Sequence, residues 1–199
     1  MRILEVSLGE KMMLPERKLE SIEQFLQRFP EVTEIIVDGT ERPVQRPQNS
    51  EQQQVHYSGK KKCHSRKHLT GSTSHKQVII LTPALAGRIH DKRQLDEENL
   101  IENIPSHVKI LGDSGFQGLQ NEYVNIHLPQ KKPKGKPLSS YYKRKNKKLS
   151  RQRVVCEHAH AGMKRYNAVS AIYRNRVPDF DDHLMVTAAG LWNFYLEVA

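Results

Sequence analysis

The chain has 199 residues, enough for one domain with a substantial core and too few for two full domains joined by a long linker. Its hydrophobic share of 37% is below the usual globular range yet well above the disordered class, so the chain folds. Lys plus Arg number 32 against 22 Asp plus Glu, a net charge of +10, which favours polyanions and makes nucleic acid the expected partner.

The opening residues carry Glu5, Glu10 and Lys11 where a signal peptide needs an apolar run. From Pro15 to Phe29, Leu19, Ile22, Leu26 and Phe29 recur at helical intervals, which predicts a short leading helix. Residues 1–30 are therefore read as a helical lead-in and 31–199 as the main domain. Ile35, Ile36 and Val37 form a buried strand that runs into Asp38-Gly39, with Asp38 near its C-terminal end. Residues 42–55 are polar, with two prolines and a Gln run, and read as a loop. Strands over 62–69 and 76–82, separated by the turn-rich residues 70–74, give a hairpin. A helix over 96–104 precedes a second buried strand, VKILGDSGF, whose apolar run ends at Asp113, and a weak strand covers 124–128.

Lys131 to Arg153 contains 11 Lys or Arg and no acid, and the run continues into a long basic helix over about 140–166, locally weakened by Gly162. An amphipathic helix over 179–198 closes the chain, and Trp192 with its apolar stripe reads as core. Its longest uncharged apolar stretch, Leu184 to Leu196, is too short to span a bilayer, so no membrane segment is expected. The two cysteines, Cys63 and Cys156, suggest no disulfide framework and point to a reducing, cytoplasmic setting. This order of elements fits an α/β class, a mixed sheet covered by helices.

Asp38 and Asp113 each follow an apolar run and directly or nearly precede a glycine, and polar residues at the ends of such strands cluster at one sheet edge. Either alone is as well explained as a turn residue. Glu157 adds a third carboxylate on the basic helix, with Arg153 four residues before it and Lys164 seven after it on the same face. That set is equally the pattern of a helical ion-pair ladder. Three carboxylates beside a cationic surface suit two hard divalent cations, Mg²⁺ or Mn²⁺, roughly 3.5–4 Å apart, as phosphodiester cleavage requires. Cys63, His64 and His68 with Cys156, His158 and His160 could supply zinc ligands, but their spacings match no familiar finger.

The strings VDGTERP, YSGKKKCHSRK, GRIHDKR, GDSGFQG and RVVCEHAHAGMKRY, in this order, resemble the catalytic core of DDE transposases from insertion sequences of family five, over about residues 33–197. The resemblance implies a ribonuclease-H-like fold with Asp38, Asp113 and Glu157 as catalytic and metal-holding acids, separated by 75 and 44 residues. Arg153 and Lys164 match the family's Arg four before and Lys seven after its Glu, whereas Ser150 stands where many relatives carry Tyr. Relatives usually carry a helix-turn-helix region before the first catalytic strand, and about 30 residues precede it here.

These readings imply a metal-dependent DNA strand-cleaving and strand-transferring enzyme. Its partners are element ends and target DNA, and it would work as a homodimer or higher assembly at the nucleoid. An upstream-frame transposase half would supply end recognition. Arg153, Lys164, Lys60, Lys143, Arg144, Lys147 and Lys148 are the expected DNA contacts, independent of sequence. His90 and Asp91 are expected to support the site or the DNA, against the simpler reading of a turn with a helix cap. Lys60 is as well explained by a charged strand edge. A non-catalytic DNA-binding fragment and a nuclease that cannot join strands remain the rival readings.

Overall fold

The structure is a computed structural model that describes residues 2–199. Helices α1 (Arg2–Glu10) and α2 (Ile22–Arg28) lead into strand β1 (Glu34–Pro43). Helix α3 (Ser50–His56), strands β2 (Tyr57–Ser58), β3 (Cys63–Ser72), β4 (Val78–Leu81) and β5 (Leu85–Ala86), and helix α4 (Asp91–Glu97) follow. Strands β6 (Lys109–Leu111) and β7 (Ile126–His127) precede helices α5 (Ser140–Lys164), α6 (Asn167–Ser170) and α7 (Phe180–Val198). The sheet runs β2–β3–β1–β6–β7, with β4 and β5 also paired to β3. β3 is antiparallel to β1, whereas β6 and β7 continue parallel to it. This mixed sheet flanked by helices is the α/β, ribonuclease-H-like arrangement expected.

β1 is central and covered on both faces, so Ile35, Ile36 and Val37 are all buried rather than alternating. One face packs on Phe25, Leu95, Leu100 and Phe116, and the other lies towards α5, with Ile36 and Leu111 against Leu149 and Cys156. α5, α6 and α7 enclose a further core around Met163, Met185 and Trp192, which reaches β4 through Val78 and Leu81.

The lead-in differs from the helix predicted at 15–29. Helix α2 starts only after Ser21, whose hydroxyl accepts the Gln24 amide at 3.2 Å. The preceding stretch is extended because its backbone serves β4: the Glu16 amide donates to Ile79 and its carbonyl accepts from Leu81, both at 2.9 Å. The 42–55 loop is likewise partly helical, since Asn49 caps the amides of Glu51 and Gln52 and starts α3 across the Gln run. The hairpin turn falls at 73–77, later than predicted, because Thr70, Gly71 and Ser72 continue the ladder to β1. The helix predicted at 96–104 ends at Glu97 and begins earlier, at Asp91.

Asp38 lies in the middle of its strand, not near the end, because buried Thr40 and Arg42 carry the pairing to Pro43. Arg42 is 1% exposed and is held by the carbonyls of Asp181, at 2.6 Å, and Ala168, at 3.1 Å. Its guanidinium also lies over the Tyr173 ring, 4.5 Å from the centroid. Asp181 pairs in turn with Arg66 at 3.0 Å, so the start of α7 is tied to adjacent positions of β1 and β3. Asn193 secures the other end of α7 by exchanging two 2.8 Å hydrogen bonds with the Val78 backbone and donating to the Met13 carbonyl.

Gly162 lies inside α5, where glycine ordinarily weakens a helix by about 1 kcal/mol relative to alanine. Here a Cβ would stand inside the Trp192 indole, whose Nε1–H is fixed to the Lys76 carbonyl at 2.9 Å. Close approach of α5 and α7 therefore requires the missing side chain. Gly162→Ala is expected to destabilise the fold by about 1–3 kcal/mol, despite its better helix propensity. The melting midpoint should fall by roughly 3–10 °C, and a higher midpoint in calorimetry would contradict this packing.

Candidate active site and nucleic-acid interface

The parallel pairing of β1 with β6 ends at Ile36–Leu111. Asp38 and Asp113 each stand two residues beyond that pair, Asp38 still within β1 and Asp113 just past the end of β6, so both follow the paired segment at the same end of the sheet. Asp113 leaves the strand and caps a short helical turn, Ser114–Phe116, by accepting the Gly115 amide. Asp38 accepts the Gly39 amide at 2.8 Å and Arg153 of α5 at 3.4 Å, with both charged side chains 19% exposed.

A third carboxylate stands on the opposite side of β1. Gly39 makes room for it, since a Cβ there would lie 2.9 Å from Asp91 Oδ1. Asp91 pairs with buried Lys67 at 2.8 Å, and Lys67 also reaches Glu41 at 3.8 Å, its direct cross-strand partner. Burial pushes the Asp38 carboxyl above its ordinary value, and the negative charges of Asp113 and Asp91 add to the effect. Arg153 and the Gly39 amide oppose it.

α5 brings the cations to this cluster. Lys164 is depressed by burial first and then by Lys61, while the charges of Glu41 and Asp38 pull it the other way. Glu157 lies between Arg153 and Lys164 on the same helix face, is exposed, and has no ion-pair or hydrogen-bond partner among the described residues. The ladder reading therefore fails: Arg153 turns to Asp38 and leaves Glu157 free. Behind Asp38, the His160 ring bonds Thr70 Oγ1 at 2.7 Å, with Cys156 Sγ 3.6 Å from it. Burial drives the Cys156 thiol up to about 12, with Asp38 adding to the shift. His160 is lowered to about 3, by burial first and then by Lys164 and Arg153.

The other zinc candidates do not gather there. Cys63 and His64 begin β3 beside β2, His158 is exposed, and buried His68 is held by Thr82 and Asp182 at 2.9 and 3.5 Å.

Two grooves carry much of the remaining charge, and none of these carboxylates lines either of them. One, of about 770 Å³, is lined by Gln117 and Gln120 after Asp113, by Lys109 and His127, and by Arg144 and Lys148 of α5. His127 is lowered by burial and then by Lys109 and Lys145, a sign of the positive field in this groove. Lys147 joins Arg144, Lys148 and Arg151 on the adjoining surface, and Lys143 is exposed on the same half of α5. A second groove, of about 820 Å³, brings Lys60 and His90 together with Arg46, Arg88 and Tyr57. His90 occupies the position before α4 but makes no side-chain cap bond, so it is not held there as a cap. Sequence reasoning missed Glu41, since its opposition to Lys67 becomes visible only once the β1–β3 register is known.

Residues 37–193 match the family described as DDE superfamily endonuclease. A curated relative named probable transposase for insertion sequence element IS702, from Microchaete diplosiphon, is 34% identical over 163 residues. The match covers 81% of this chain and 57% of the relative, so the chain spans a little over half that relative's length. No solved structure matches the chain. Among the described residues, no helix is long and apolar enough to cross a membrane.

Because burial holds Asp38 above its ordinary value, its ionised form opposes folding. The penalty is full above the folded value, fades as pH falls through it, and is gone below the ordinary aspartate value of about 3.9. Asp38→Asn should therefore unfold at higher urea than the parent at pH 7, in metal-free buffer. The gap should close on acidification, as read from paired urea titrations.

Proposed function

The chain belongs to the DDE superfamily endonucleases, and on that footing we propose that it is the catalytic core of a DNA transposase. In this reading it cuts a strand at an element end to leave a 3′-hydroxyl and then joins that hydroxyl to target DNA in the same site. The observation that carries the reading is that Asp38 and Asp113 both follow the Ile36–Leu111 pair at the same end of the sheet, with Arg153 of the basic helix drawn onto Asp38.

Asp38, Asp113 and Glu157 are the catalytic and metal-holding residues in this proposal. The donor set fits hard cations: Asp38 is crowded by like charges that a cation would relieve, and Glu157 is an exposed carboxylate with no competing partner. Two divalent cations, Mg²⁺ or Mn²⁺, would supply activation of the attacking oxygen and neutralisation of the leaving one. Arg153 and Lys164 would then hold the scissile phosphate and offset its developing charge. Asp91 fixes Lys67 beside the cluster, and His90 with Lys60 offers a second phosphate-binding edge.

Lys143, Arg144, Lys147 and Lys148 would grip the DNA backbone, which carries no sequence information. Recognition of the element's ends therefore falls, in this reading, to an upstream-frame transposase half. Two ends and two strands must be served, so a homodimer or higher assembly on DNA at the nucleoid completes the proposal.

Strand transfer of a labelled, pre-cut element end into plasmid DNA, with Mn²⁺ or Mg²⁺, tests it. The parent chain is expected to give joined product, and Asp113→Ala to lose at least about 1,000-fold while still binding DNA. Binding without product from either protein would favour a non-catalytic DNA-binding fragment, whereas cleavage without joining would favour a nuclease. Replacing Lys143, Arg144, Lys147 and Lys148 together by Ala should weaken binding to all DNA sequences alike. The slope of log affinity against log salt should become shallower by about 3 to 4 if each contacts one phosphate.

A further inference from the structure

Cys156 and His160 are one helical turn apart on α5 and meet the same face of the β1–β3 pair. Their Sγ and Nε2 atoms are 3.6 Å apart. A tetrahedral zinc ion bound at about 2.3 Å to sulfur and about 2.0–2.1 Å to nitrogen holds those atoms roughly 3.5 Å apart. A carboxylate oxygen of Asp38 lies with both of them inside one 4.8 Å cluster, reached from a different element, β1. Outer partners of the sulfur are present too, Thr70 Oγ1 at 3.9 Å and Ser72 Oγ at 3.8 Å, while Thr70 Oγ1 also holds the ligating nitrogen of His160 at 2.7 Å.

We propose that Asp38, Cys156 and His160 form a second metal site, one that takes a thiophilic divalent ion of the zinc class and draws Asp38 out of the carboxylate cluster. The mixture of thiol, imidazole and carboxylate selects zinc-class ions over Mg²⁺, which prefers oxygen donors throughout. Binding releases the thiol proton to solvent and leaves a sulfur–metal bond, with no oxidant or reductant involved. His160 must turn its Nε2 lone pair from Thr70 to the ion. Thr70 can release it, because its hydroxyl also reaches the Asp38 carbonyl at 3.1 Å. The ion takes one Asp38 oxygen and sets a positive charge beside the other, so occupancy weakens the hold of Asp38 on cations shared with Asp113 and inhibits the chemistry. That consequence rests on the transposase reading, whereas the binding does not.

Co²⁺ is the probe, added to the full chain without DNA. The expected result is one ion per chain with a thiolate-to-cobalt charge-transfer band that Zn²⁺ abolishes. Cys156→Ser should remove the band. His160→Gln and Asp38→Asn should weaken Co²⁺ affinity by more than the about 10–100-fold that loss of an outer partner costs. Cys63→Ser and Asp113→Ala should leave the spectrum unchanged. The absence of a band in the folded parent chain, or a band that survives Cys156→Ser, overturns the proposal. Strand transfer read in parallel separates the two ideas: a parent chain inactive even with chelated zinc refutes the transposase reading alone. Zinc-insensitive activity in a chain that binds cobalt as described overturns the inhibitory half of the inference.

Discussion

The antiparallel ladder from Ile36–Ser72 to Pro43–Ser65 fixes where Asp38, Glu41 and Lys67 stand, and the rest of the site assembles around them. Along it, side chains alternate between two faces, so one pair of strands carries two different chemistries. Asp38 and Thr70 face α5, with Cys156 and His160, whereas Glu41 and Lys67 lie opposite each other on the side that Asp91 approaches. A slip of one residue would exchange the two sets and bury Asp38 away from Arg153.

That ladder also holds the helices that complete the site. Arg42 and Arg66 are direct partners in it, and both engage Asp181 at the start of α7. Removing the Asp181 carboxylate would leave the guanidinium of Arg42, only 1% exposed, without its nearest negative charge. α7 then sets the position of α5 through the contact of Trp192 with Gly162. The helix that presents Arg153, Glu157 and Lys164 is therefore positioned from the side remote from the carboxylates.

The carboxylates are costly to keep together. Asp38 is raised by burial and by its acidic neighbours, and Arg153 only partly offsets this. Keeping these acids in one place therefore gives up folding stability, as sites built of like charges commonly do. The cations of α5 and of the Lys60 groove act on a longer scale: they present a positive field that favours polyanions.

Much of this was legible in the sequence. The apolar runs ending near Asp38 and Asp113, the acid-free basic stretch and the Arg153–Glu157–Lys164 spacing depend on local periodicity and composition, which one chain segment determines by itself. The length of α5 followed from the same signals. Tertiary structure decided what depends on a distant partner. The segment before α2 stays extended because β4 offers it hydrogen bonds, and β1 runs past Asp38 because β3 continues beside it. Gly162 looked like a flaw in a helix until Trp192 was found against it. Cys156 and His160 met Asp38 rather than the other cysteine and histidines, because only the sheet register brings that strand and that helix face together. Local pattern sets which residues can form an element, but long-range pairing sets which side chains share a site, and no window of sequence contains that information.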